Sequence, residues 1–251
     1  MNFIPFYDYN MHRFYYLNMY NPNYLNMYNP NYYNNFKNYN NYYRQYEQCN
    51  TDTLPLKEEN LQPKNFKITY PVVQGIDNEN ISKFVNETIV DEVNDLFKEE
   101  ILTPGKGKLL ELIGFYEMKL NKECLLSILL GMYTYYEGAA HGFTAYSSLN
   151  IDLNTWQNLQ LSDLFTSKIN YKPILEQKVR EYVSKNNVPL IEGYNGLSED
   201  QQFYLTPDSL VLYYQVYEYT PYSYGLFQIP IPYQDILNLL GPASPIQRLI
   251  K

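Results

Sequence analysis

Three long apolar runs follow one another with almost nothing between them: Leu109 to Leu120, Leu125 to Tyr136 and Phe143 to Leu153. The first pair is separated by a turn at Asn121-Lys122, the second by Gly138-Ala139-Ala140-His141-Gly142. A parallel crossover needs a dozen or more residues, so turns this short force neighbouring antiparallel strands. An antiparallel meander is therefore expected at the centre of the fold, and the rest of the chain has to pack on it.

What precedes the meander reads as one strand and one helix. Phe66 to Val73 alternates as a strand, and Gly75 with Asp77-Asn78 makes a turn in which Asn78 or Asn80 can cap a helix. Ile81, Phe84, Val85, Ile89, Val93, Leu96 and Phe97 then recur at steps of three and four, the spacing of one helical face. Glu87, Asp91, Glu92, Asp95 and Glu99 fall on the opposite, solvated face, and Pro104-Gly105 ends the helix. After the meander come a helical turn at Leu161 to Phe165 and a second helix from Pro173 to Lys185. Ser198 caps a short helix before a strand pair, Phe203–Leu205 and Leu210–Tyr217, turned at Thr206 to Ser209. Ile229 to Pro232 reads as an edge segment, because its alternate prolines cannot donate ladder hydrogen bonds. Tyr233 to Leu240 reads as a closing helix. This order predicts an α+β fold, an antiparallel sheet with helices packed on one side.

Residues 1–50 are of a different kind. Tyr16-Leu17-Asn18-Met19-Tyr20-Asn21-Pro22-Asn23 recurs unchanged as Tyr24 to Asn31. Proline and asparagine oppose helix and strand, and almost no aliphatic side chains are present to build a core. A disordered low-complexity tail is expected, prone to self-association or co-assembly through its rings. Repeat growth in a tolerant terminus is the alternative. Residues 51–65, with Pro55 and Pro63, read as a linker, 66–135 and 136–240 as the two parts of the body, and 241–251 as a C-terminal tail.

Charge and cysteine content exclude several classes. The net charge is −8, and the acids lie mostly after Asn50, which argues against binding phosphates and is compatible with a basic partner. Cys49 and Cys124 are the only cysteines. A disulfide framework and a zinc site are not expected, and Cys124 reads as a small buried apolar side chain. The opening residues lack the basic start and apolar stretch of a signal peptide, and no run reaches the roughly 20 apolar residues of a membrane span. A cytoplasmic or spore-associated location is the expectation.

No P-loop, dinucleotide fingerprint or nucleophile elbow is present, and no cofactor or metal is expected. His141 is the one histidine after residue 50, with no second histidine and no HExxH spacing. Gly138 and Gly142 give its turn backbone freedom. Asp152, Asp163, Glu192, Asp208 and Glu218 form no distinctive carboxylate pair. The aromatic run Tyr213, Tyr214, Tyr217, Tyr219, Pro221, Tyr222, Tyr224 and Phe227 leaves its strand pattern after Glu218 and enters a loop. Tyrosines in a loop offer large contact area at low entropic cost. Covering one edge of the core is the competing role.

Two segments carry a family resemblance. One is Tyr135 to Gly142 with Asn150-Ile151-Asp152-Leu153 and Leu161-Ser162-Asp163-Leu164-Phe165. The other is Phe203-Tyr204-Leu205-Thr206-Pro207-Asp208 with Pro221-Tyr222 and Ile229-Pro230-Ile231-Pro232-Tyr233. Together they resemble the paired domains of unknown function in the extracytoplasmic parts of the anti-sigma factor RsiV and the peptidoglycan deacetylase PdaC. Ala139 stands where the family's turn usually has glycine. The Asp and His ligands of the deacetylase half have no counterpart in this sequence. In RsiV-like proteins the C-terminal part is implicated in binding lysozyme, and the loop carrying Pro221 and Tyr222 matches their Pro- and Tyr-containing segment. The Tyr/Asn tail resembles, by composition, segments of spore-surface proteins.

The resulting expectation is a non-enzymatic envelope or spore-surface module that binds a lysozyme-like protein or a cell-wall glycan such as peptidoglycan. The expected contact residues are Tyr219, Pro221, Tyr222 and Tyr224 with Gly138, His141 and Gly142. A cell-wall hydrolase using His141 with a carboxylate, and a structural coat component assembled through residues 1–50, are the competing readings.

Overall fold

The structure, a computed structural model, describes residues 53–61, 66–75, 78–102, 107–166 and 168–250. The tyrosine- and asparagine-rich repeat, Cys49 and the Pro104-Gly105 stop lie outside the described residues. The chain folds as α+β, with two sheets and two α-helices among the described residues.

The first sheet has six strands in sequence order: β1 Leu56–Leu61, β2 Phe66–Val73, β3 Leu109–Lys122, β4 Leu125–Tyr136, β5 Phe143–Asp152 and β6 Gln157–Asn158. The expected meander is β3–β4–β5, with both pairs antiparallel. One pair departs from a wholly antiparallel sheet. β2 runs parallel to β3 because helix α1, Glu79–Ile101, supplies the crossover between them. Residues 56–61, expected as part of a linker, instead form β1, paired antiparallel with β2.

Asn78 caps α1, its side chain accepting from the backbone N–H groups of Asn80 and Ile81 at 3.1 and 3.3 Å. Ile81, Val85, Ile89, Val93 and Leu96 then face Leu126, Ile128, Leu130 and Met132 of β4 and Ala145, Leu149 and Ile151 of β5 in one buried core. Alternation along β4 sends Ser127, Leu129, Gly131, Tyr133 and Tyr135 to the opposite face.

The second sheet is β7 Phe203–Leu205, β8 Ser209–Tyr214 and β9 Phe227–Pro232, all antiparallel. Helix α2, Lys172–Lys185, with Pro173 in its first turn, buries Leu175 and Val179 in a second core with Leu212, Phe227 and Ile229. The expected closing helix is two 3₁₀ turns, Tyr233–Asp235 and Leu237–Leu239, and no helix follows Ser198. Residues 241–250 pack on the body. Pro245–Arg248 forms a 3₁₀ turn with Pro245 and Ile246 buried, and Arg248 pairs with buried Asp152 at 2.9 Å.

A single continuous sheet was the expectation, with its two parts meeting at 135/136. Two sheets form instead, with β6 last in the first and β7 first in the second, its edge turned toward the first sheet's face. That edge exposes backbone groups that need partners. Ser148 Oγ and Asn150 Nδ2 donate to the Phe203 carbonyl at 2.6 and 2.9 Å, and Leu205 N–H donates to Ser127 Oγ at 2.9 Å. Ser127 Oγ in turn donates to Asn150 Oδ1 at 2.7 Å. A polar inlay in an otherwise apolar face thus replaces ladder bonds.

The β3–β4 turn is Glu123-Cys124, two residues later than expected, and both have positive φ, 53° and 56°. Cys124 is half-buried and disulfide-bonded, which corrects the expectation of an inert apolar side chain. The Asn121 amide makes two hydrogen bonds to the backbone of buried Leu54, each 2.9 Å, so this hairpin tip also holds the segment leading into β1.

Candidate functional site

The β4–β5 turn and the loop after β8 are 80 residues apart in sequence, yet they meet. Tyr222, in the 3₁₀ turn Tyr222–Tyr224, donates its hydroxyl to the Gly142 carbonyl at 2.9 Å. His141 stacks on the Tyr222 ring with centroids 3.9 Å apart and planes at 28°. Tyr217 completes the group, 5.5 Å from Tyr222 and 6.2 Å from His141 between ring centroids.

Both ring nitrogens of His141 have partners. Nδ1 lies 2.8 Å from the Gly142 carbonyl, which can only accept, so Nδ1 carries the hydrogen. Nε2 shares a hydrogen bond of 3.2 Å with the Tyr217 hydroxyl. Neither partner is a carboxylate. A histidine held in this way offers a flat ring fixed in place by neutral partners. Among the described residues no group of three His, Cys, Asp or Glu side chains is placed to hold a metal ion.

Gly138 has φ +80°, so the turn needs its conformational freedom as expected. Gly142 is required for room instead: a Cβ there would fall within the Tyr133 ring. Tyr133 therefore belongs to the same cluster, although nothing in its local sequence marked it. Only the alternation of β4, counted from buried Met132, could have placed it on this face.

The strand expected to reach Tyr217 ends at Tyr214, because residues 215–218 form a turn. Tyr217 sits in it at φ +71°, a conformation costly for a bulky residue. Three sets of bonds hold it. Glu218 N–H donates to the Gln215 carbonyl at 3.0 Å. The Gln215 N–H donates to the Glu218 carboxylate at 2.8 Å. The Gln215 amide pairs both ways with the Tyr146 backbone of β5, at 3.0 and 2.7 Å. The ring this turn presents is 48% exposed, with Tyr222 at 36%.

The other expected contact residues scatter. Tyr219 points into the second core, 4.8 Å edge-on to Tyr214 and 5.4 Å from Tyr194. Pro221 opens the 3₁₀ turn as its N-cap. Tyr224, 38% exposed, packs edge-on to Phe227 at 5.8 Å. Alternation could not sort them, because the chain leaves extended geometry at Gln215.

Glu218 is the carboxylate that helps hold this turn. Desolvation in dense surroundings pushes its carboxyl up to about 7, against the lowering effect of the Gln215 hydrogen bond. More than a third of the residue is open to water, which moderates the effect. A raised carboxyl favours the neutral folded form. Its stabilising contribution is thus complete below the ordinary 4.5 and is lost as pH rises through about 7. Amide exchange of residues 215–219, corrected for intrinsic rates, is expected to slow from pH 8 to pH 5. Glu218→Gln should remove that dependence, and an unchanged profile in the variant would refute the assignment.

Comparison with known proteins agrees with this layout. The family model described as "Deacetylase PdaC" matches residues 56–144, and that of DUF3298, a protein of unknown function, matches residues 162–234. The anti-sigma-V factor RsiV of Bacillus subtilis is 27% identical over 201 residues, covering 74% of this chain and 69% of that protein. The chain is an RsiV/PdaC-like protein. The first matched region begins at Leu56 and so includes β1, which the sequence pattern alone places in a linker. A DUF3298 protein from Bacteroides fragilis shares the fold at TM-score 0.58 and 22% identity, covering 79% of this chain and 99% of its own. Another from Pseudomonas aeruginosa does so at TM-score 0.58 and 16% identity, covering 79% and 97%. Among the described residues no helix is long and apolar enough to cross a membrane.

Proposed function

We propose that this RsiV/PdaC-like chain is a non-enzymatic binding module of the cell envelope or spore surface, and that it takes a lysozyme-like protein on the His141–Tyr217–Tyr222 platform. The observation that carries the reading is the platform's construction. Three rings from two remote segments are stacked, hydrogen-bonded and exposed, and one of them is held in strained backbone. Surfaces rigidified before the partner arrives lose less entropy on binding, and tyrosine is over-represented among residues that dominate interfaces. The likeness to RsiV supports an envelope-associated module. The Cys124 disulfide supports an oxidising surrounding. Against a hydrolase stands the engagement of both His141 nitrogens by a carbonyl and a phenol.

Calorimetry of the full chain against a c-type lysozyme, and separately against muropeptides, tests the reading. Tyr222→Ala is expected to weaken lysozyme binding about 30-fold, the size of a hot-spot loss of about 2 kcal/mol. Failure of the parent to bind lysozyme ends the proposal, and binding of muropeptides alone transfers the site to a glycan. Release of cleaved product would make the chain an enzyme. Deleting residues 1–50 from a fluorescent fusion tests assembly through the tail; unchanged localisation removes that role.

A further inference from the structure

The outer face of the first sheet is only half covered. Cross-strand register places Glu111 opposite Tyr135, Ile113 opposite Tyr133, and Phe115 opposite Gly131, with Tyr146 next to Gly131 on β5. Facing residues share a side of the sheet. Phe115 lies over Gly131, where a Cβ would enter its ring, and meets Tyr146 edge-on at 6.1 Å. Lower on the same face, Leu129 is buried with Tyr204, Val211 and Tyr213 under the second sheet. The upper part, with Ile113 at 37% exposure, continues into the platform through Tyr133 and Gly142.

The protein seats two of its own cations on tyrosine rings, one of them with a carboxylate beside the ring. Lys119 Nζ lies 4.8 Å from the Tyr204 ring centre and 2.5 Å from Glu117. The Arg180 guanidinium lies 5.0 Å from the Tyr194 ring centre and donates to the Tyr194 carbonyl at 3.1 Å. At the open end of the face, Glu111 is opposite Tyr135 and so diagonal to Tyr133 on the same side, and it forms no ion pair among the described residues. Desolvation first, then the Glu111 charge, pushes the Tyr133 hydroxyl above its usual value, with smaller contributions from Tyr222 and Tyr135. Lys67, exposed and paired in register with Ile113, is the nearest cation on this face by strand order, and it makes no ion pair with Glu111.

We propose that this open ring-and-carboxylate pair seats an arginine of a basic protein partner, its guanidinium lying on Tyr133 and paired to Glu111. Arginine fits better than lysine because its planar fork stacks on a ring while bonding a carboxylate, and it is enriched in interface cores. The net charge of −8 steers such a partner to the chain. The inference rests on the binding-module reading and names the chemistry of the partner at the edge of that platform.

The test uses the full chain with two probes, a c-type lysozyme and an immobilised nona-arginine peptide. Glu111→Gln is expected to weaken both about tenfold and to flatten their salt dependence. Tyr133→Leu should do the same, and the double variant should be little worse than either single one, because the two groups share one ligand. Glu87→Gln, on the outer face of α1, should change nothing. If lysozyme binding is lost in Tyr222→Ala but untouched in Glu111→Gln, the platform reading stands and this inference fails. If the parent binds neither probe, both fail. Retention on cell-wall sacculi that is lost in Glu111→Gln, without lysozyme or arginine binding, would give the face to a glycan and also overturn it.

Discussion

Replacing Asn150 with leucine is expected to lower the unfolding free energy by about 3 kcal/mol. Asn150 is 2% exposed. Its amide N–H donates to the Phe203 carbonyl, and its amide oxygen accepts from Ser127 Oγ. Leucine has nearly the same volume, so the loss is one of polarity. The Ser127 hydroxyl keeps its incoming bond from Leu205 but has nowhere to donate, and a buried unsatisfied donor costs about 1–3 kcal/mol. The lost bond to Phe203 adds about 1 kcal/mol, softened because Ser148 still serves that carbonyl. Urea melts of the full chain should show a lower midpoint at unchanged slope. A drop below about 1 kcal/mol would mean that the inlay is not what holds the sheets together. Ser127→Ala combined with Asn150→Leu should cost less than the sum of the two, since both break one network.

Cys124→Ser is expected to cost about 2–4 kcal/mol, and reduction of the parent should reproduce that loss. The native protein, denatured without reductant, should show no titratable thiol, in keeping with the absence of free cysteines among the described residues. The turn adds a second signature. Glu123 and Cys124 both occupy the left-handed region in a two-residue hairpin turn, where Asn-Gly is preferred. Each such residue costs about 1–2 kcal/mol relative to glycine. Under reducing conditions Cys124→Gly should therefore be about 1 kcal/mol more stable than Cys124→Ser. Equal stability of the two would show that the turn carries no strain once the bond is gone.

Much of the fold was legible without coordinates. The meander, α1 and its Asn78 cap, α2, and the α+β class all follow from short-range pattern, because period and turn length are local properties. β1 was missed because six polar-rich residues between prolines carry no strand signal; it exists by pairing with β2, and pairing is not local. The parallel β2–β3 pair was missed for the same reason. The division into two sheets rests on three polar side chains, Ser127, Ser148 and Asn150, which in isolation read as ordinary interruptions of an apolar run.

The candidate site divides in the same way. The turn at Gly138 to Gly142 and the loop at Tyr222 were each picked out by composition and resemblance, as separate features. Their meeting at the Gly142 carbonyl, the capture of Tyr133 and Tyr217, and the turning of Tyr219 into the core were decided by tertiary packing. The sequence by itself determined the α+β class, the family likeness and the aromatic richness of the region, all of which depend on residue type and spacing. Only the tertiary structure decided which rings face outward together, because that depends on where the chain leaves extended geometry at Gln215 and on how one sheet's edge finds hydrogen bonds on the face of the other.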